Sequence, residues 1–104
     1  MADLSLTYEA RTYSSGTVGR SICNARNHHF VSESPGGDAL GAGELFCASM
    51  AACAVNMVER IALAEDRALD SMEVNVAVYT DKDKEAGDLS IYDAARVKFE
   101  MWGV

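Results

Sequence analysis

The chain is short of several things, and each shortage removes a class of protein. It has one proline and three cysteines in 104 residues. Three is an odd number, and none of the cysteines shows the paired CxxC spacing of a zinc site, so neither a disulfide framework nor a structural metal is indicated. Positive charge is in deficit: 9 Lys plus Arg stand against 16 Asp plus Glu, and the net charge of -7 repels phosphate backbones and anionic lipid. Nucleic acid and membrane are therefore not expected partners. The opening MADLSLTYEAR has neither a cationic leader nor the apolar core of a signal peptide, and the sequence shows no run of about 18 apolar residues to span a bilayer. The expected location is the cytoplasm, with the cysteines as reduced thiols.

One stretch dominates what is present. GELFCASMAACAVNMVERIALAED, residues 43 to 66, is the longest apolar segment and contains no proline. At about 100° per residue, Phe46, Met50, Cys53, Met57, Ile61 and Ala64 fall in one stripe, and alanines widen the apolar surface beyond it. This predicts a long core helix. Within it Cys47 and Cys53 lie about 240° apart around the axis and ~9 Å along it, too far to form a disulfide.

The rest of the chain reads as strands. Residues 4 to 11, LSLTYEAR, alternate Leu4, Leu6, Tyr8 and Ala10 with Ser5, Thr7, Glu9 and Arg11, which predicts a half-buried first strand. TYSSG reads as a turn, TVGRSICNA as a second strand, and HHFVSES as a short third one before the punctuation SPGGDALGAG. That punctuation leads into the helix without a good Ser or Thr cap, and Glu44 falls in the first turn, where a carboxylate suits the positive end of the helix dipole. After the helix, SMEVNVAVYTDKD sets Met72, Val74, Val76 and Val78 against Ser71, Glu73, Asn75 and Ala77. DKDKEAGDLS is a charged tip, and ARVKFEMW returns with Val97, Phe99 and Met101 inside. The order predicts one α+β domain over residues 1–104: an antiparallel β-meander, a long central helix and a β-hairpin. No element is left to cover the last strand or the far face of the sheet, so either a partner subunit or further chain beyond Val104 is expected to do so.

Arg26, His28 or His29, Glu33, Pro35, Gly36, Gly37, Asp38, Glu44, Leu45, Ala52 and Cys53 occur in an order that resembles the OsmC/Ohr family, the osmotically inducible and organic-hydroperoxide-resistance proteins. The resemblance covers about residues 17 to 80. It implies an intertwined homodimer, two subunits wrapping sheets around each other's central helices, with a thiol-dependent peroxidase site at the interface and no cofactor. In that family the helix cysteine attacks an organic hydroperoxide and becomes a sulfenic acid. A second cysteine on a later helix resolves it, and a dithiol reductant, lipoyl-linked in Ohr members, regenerates the pair. Cys53 matches the first cysteine; the second has no counterpart, and on this reading the C-terminal helical part is absent and the domain incomplete. Two further departures are Ala42 and Gly43 where a Pro usually precedes the acidic residue, and Glu44 one position beyond the Ohr carboxylate. The family's arginine from the first hairpin is matched by Arg20 or Arg11.

Such chemistry needs a thiolate, and an ordinary thiol, with a pKa of about 8.5, is ionised to only a few per cent at pH 7. Cys53 lies ~15 Å along the axis from Gly43, whereas the helix dipole acts only within the first turn. An arginine must therefore supply the stabilisation. The expected site has Cys53 as nucleophile, Arg20 beside its thiolate and Glu44 positioning that arginine. Cys47 and Cys23 read as small packing residues, and the adjacent His28 and His29 point to opposite faces of a strand and form no metal site. The methionine-rich stripe reads as core, and near Cys53 it would also suit an organic peroxide. The alternative reading is a non-catalytic OsmC-like dimer, a binding or structural module, motivated by the missing second cysteine and the altered approach to the helix.

Overall fold

The computed structural model describes residues 3–85, 87 and 92–104. Its elements follow the expected order: β1 (Arg11–Ser14), β2 (Arg20–Ala25), β3 (His28–Glu33), α1 (Ala42–Ala64), β4 (Ser71–Tyr79) and β5 (Ala94–Trp102). The class is mixed α+β, with antiparallel sheets and one helix among the described residues. Two compact units divide the chain, Met1–Leu45 and Phe46–Val104, with the boundary just past the first turn of α1.

In the first unit β1, β2 and β3 form an antiparallel sheet in that order. Polar side chains and glycines make its corners. The β1–β2 turn is closed by the Ser15 hydroxyl, which donates to the Arg20 carbonyl at 2.7 Å and accepts the Thr17 N–H at 3.1 Å. Gly19, at φ 85°, takes the left-handed conformation that only glycine adopts without strain. Arg26 and Asn27 turn β2 into β3, with Arg26 at φ 51° and Ala25 paired to His28.

The expected first strand over residues 4 to 11 is not formed: regular pairing begins only at Arg11, its last residue, and runs on through Ser14 into the segment read as a turn. The register gives the reason. Arg11 pairs with Asn24, so residues before Ala10 would face the turn at Arg26 and Asn27, where β2 has already ended. The alternating segment runs off the end of its sheet, and Leu4, Leu6 and Tyr8 are left exposed. Alternation states a readiness to pair; an edge must still be within reach.

In the second unit β4 and β5 form a two-stranded hairpin in register from Ser71↔Trp102 to Tyr79↔Ala94. One face collects Met72↔Met101, Val74↔Phe99, Val76↔Val97 and Val78↔Ala95, and the other carries Glu73↔Glu100 and Asn75↔Lys98. Met72, Val74, Val76 and Val78 are half-buried as expected. Val97, Phe99 and Met101, expected inside, are 44%, 45% and 44% exposed. A ribbon of two strands has no interior of its own, and its apolar face stays open until another layer covers it. The charged tip predicted over residues 81 to 90 lies partly outside the described residues; within them, Asp93 accepts the Asp81 N–H at 2.7 Å and pairs with Lys84 at 3.3 Å.

Helix α1 starts without a capping hydroxyl, as expected. Gly41 is the N-cap, its carbonyl accepting the Leu45 N–H at 3.0 Å, and Glu44 reaches back to accept the Gly41 N–H at 2.9 Å. The helix ends with Asp66 in the left-handed region at φ 54°, while Arg67 donates to the Ala62 carbonyl at 2.8 Å and Asp66 to that of Leu63 at 3.3 Å. This is the paired C-terminal closure usually built on glycine. No residue of the helix is buried. Its half-buried stripe is Cys47, Ala51, Ala54, Val55, Val58 and Ala62, while the larger residues predicted for the core, Phe46, Met50, Met57 and Ile61, stand exposed together with Cys53. By length and composition α1 also meets the requirement for crossing a membrane, contrary to the expectation drawn from counting apolar runs. Its small residues raise the average without forming an unbroken run, and Ser49, Asn56, Glu59 and Arg60 interrupt it.

Candidate functional site

Arg20 opens β2, and Glu33 closes β3 directly opposite it in the register. Their side chains meet, Arg20 Nη2 to Glu33 Oε1 at 3.0 Å, with the arginine side chain 50% exposed and the carboxylate 16%. The second oxygen, Glu33 Oε2, accepts the Asp38 N–H at 2.9 Å. Around this pair the segment from Ser34 to Gly41 folds back on the sheet. The Leu40 carbonyl accepts both the Glu33 N–H at 3.2 Å and the Ser32 hydroxyl at 3.1 Å, and the Ser34 N–H donates to the Gly19 carbonyl at 2.8 Å. An open cavity of about 610 Å³ lies beside the pair, with Tyr13, Thr17, Arg20, Glu33 and Gly43 among its walls.

Of the expected site residues, Arg20 and Glu44 belong to this first unit and Cys53 to the second. The carboxylate at Arg20 is Glu33; Glu44 spends Oε1 on the Gly41 N–H at the helix start. Arg11, the other arginine matched to the family pattern, lies over the Tyr13 ring with its guanidinium carbon 5.9 Å from the centroid. Cys53 is exposed on α1, Cys47 is half-buried on the adjoining stripe and Cys23 is buried in β2, all three as free thiols. Among the described residues no cluster of three His, Cys, Asp or Glu side chains is placed to hold a metal ion.

Within the second unit, Phe46 meets Tyr92 with ring centroids 5.5 Å apart. At the other end of the helix an open cavity of about 530 Å³ is lined by Val58, Ile61, Ala62, Leu69, Met101 and Val104. Chemically, this unit offers a reachable thiol on an apolar surface. The first unit offers a guanidinium fixed from one side and open on the other.

Glu33 is the residue that sequence reasoning passed over as a site member. The two strands were readable but their register was not: it is the two-residue turn at Arg26 and Asn27 in the structure that sets Arg20 opposite Glu33.

Comparison with known proteins returned no match to any family profile, any curated protein or any solved structure. What the fold and the residues define is a class: an antiparallel α+β chain with an exposed mid-helix thiol and a carboxylate-anchored arginine at a sheet end.

Proposed function

We propose that the chain is an OsmC-like, homodimeric, thiol-dependent peroxidase that reduces organic hydroperoxides in the cytoplasm as part of oxidative-stress defence. One observation carries the reading: the Cys53 thiol is exposed in the middle of an apolar helix stripe, with Met50 and Met57 a turn away on either side, which a second subunit would cover. The open apolar face of the β4–β5 hairpin and the unpaired alternating segment from Leu4 to Ala10 support the dimer, since each lacks a layer or an edge of its own.

In the proposed reaction the Cys53 thiolate attacks the outer oxygen of the hydroperoxide. The O–O bond breaks, the alkoxide leaves and takes a proton to become the alcohol, and the sulfur becomes a sulfenic acid. A thiol then displaces water to form a mixed disulfide, and a second thiol, from the same dithiol or another molecule, releases Cys53. Arg20 is the thiolate's partner. Glu44 was expected to orient that arginine; its Oε1 accepts the Gly41 N–H, and the carboxylate that meets Arg20 is Glu33.

The test is mass spectrometry after stoichiometric cumene hydroperoxide, with dithiol-dependent turnover followed alongside. The reading requires a sulfenic acid on Cys53 and loss of turnover in Cys53→Ser. An unmodified Cys53 in folded protein overturns it. The alternative, a non-catalytic dimeric binding module, is favoured by the pairing of Arg20 with Glu33, which partly neutralises the charge that a thiolate needs. Turnover abolished by Cys53→Ser would exclude that second reading.

A further inference from the structure

The Arg20–Glu33 pair is not an ordinary surface ion pair, because the two sides are covered unequally. The carboxylate is largely enclosed while the guanidinium is half exposed, so the arginine is held from behind and presents its outer side. A guanidinium has more N–H donors than one carboxylate oxygen can use, so a second anion can be met there. The carboxylate in turn has two jobs. Oε1 takes the arginine and Oε2 takes the Asp38 N–H, and Asp38 lies in the 34–41 segment that ends at the N-cap of α1.

Gly37 supplies an independent observation. A Cβ added there would overlap Glu33 Oε2 and lie 2.8 Å from the Glu33 Cβ, so the segment closes over the carboxylate only because this position has no side chain. Its N–H also donates to the Ser34 carbonyl at 3.1 Å, which completes the turn above Glu33.

We propose that Glu33 is the positioning residue for Arg20 and couples it to the 34–41 segment, one carboxylate holding the guanidinium and the segment that leads into the helix. Movement of either releases the other. Glutamine cannot replace it, since its side chain has a single acceptor oxygen and its NH2 would face a donor. The bridge stands on geometry within the first unit; only its consequence for Cys53 rests on the peroxidase reading.

Nuclear magnetic resonance on the full chain tests the bridge, with Glu33→Gln and Gly37→Ala. Guanidinium Nη protons give resolved resonances when a salt bridge stops their rotation, and the Asp38 amide reports the segment. In both variants the Arg20 resonances are expected to collapse and the Asp38 amide to shift together, with the strand amides of β2 and β3 unmoved. Arg20 resonances that persist in either folded variant, or that change while Asp38 does not, overturn the proposal. Should Glu33→Gln fail to fold, Gly37→Ala decides alone, since it leaves both charges in place. The same Gly37→Ala sample separates the two readings: cumene hydroperoxide should oxidise its Cys53 about tenfold more slowly if Arg20 serves the thiolate. Collapse of the Arg20 resonances with an unchanged Cys53 rate supports the bridge and removes Arg20 from the peroxidase mechanism.

Discussion

The two units are held by different means. In Met1–Leu45, strands of four to six residues are tied by hydrogen bonds between backbone groups and the side chains of Ser15, Ser32, Glu33 and Glu44, and turns are set by glycines. In Phe46–Val104, a long helix and two nine-residue strands carry broad apolar surfaces that remain half-exposed. The corners of the first unit satisfy their polar groups locally, although Leu4, Leu6 and Tyr8 stay exposed. The second has the pattern of a core without the layer that would make it one. Short polar ties fix the geometry of a corner, whereas apolar faces gain free energy only when something removes them from water.

The strongest way to break this comparison is a charge on the open hairpin face. Val74→Asp places a carboxylate beside Phe99, and under a covering subunit an unpaired charge costs on the order of 3 kcal/mol. Sedimentation should then show association weakened by about a hundredfold. Association equal to the wild type would mean that this face is not an interface.

A smaller effect sharpens the other side. Glu44→Ala removes the carboxylate that accepts the Gly41 N–H, a loss of about 1 kcal/mol, read as a fall in melting temperature of roughly 4–8 °C. An unchanged melting temperature would mean that the polar ties of the first unit contribute little. The smallest change is expected for Lys98→Ala. Its pair with Glu100 is 3.1 Å long but the lysine side chain is 74% exposed, so chemical denaturation should shift by no more than about 0.5 kcal/mol.

Much of this was legible in the residues. The alternation of Met72, Val74, Val76 and Val78 placed β4 correctly, and the apolar run with its Pro-Gly-Gly approach placed the start of α1 within about two residues, while its end, expected around Asp66 to Leu69, falls at Ala64. Leu4 to Arg11 misled because alternation carries no information about whether an edge lies opposite. The helix stripe misled for a related reason. Its six residues share a face as predicted, but which face meets a neighbour depends on the neighbour, and here the smaller residues Ala51, Ala54 and Ala62 are the partly covered ones. For the site, the residue types were legible and their pairing was not. Arg20 was matched to a carboxylate through a family pattern that offered Glu44, and the strand register supplied Glu33.

The sequence by itself determined the order of elements, the antiparallel α+β class and the thiol on the helix. Periodicity and turn chemistry are local properties, legible one window at a time. Only the tertiary structure decided which carboxylate holds Arg20, where β1 begins and which stripe of α1 stays exposed. Each of these depends on residues distant in the chain being brought opposite one another, and no local pattern contains that information.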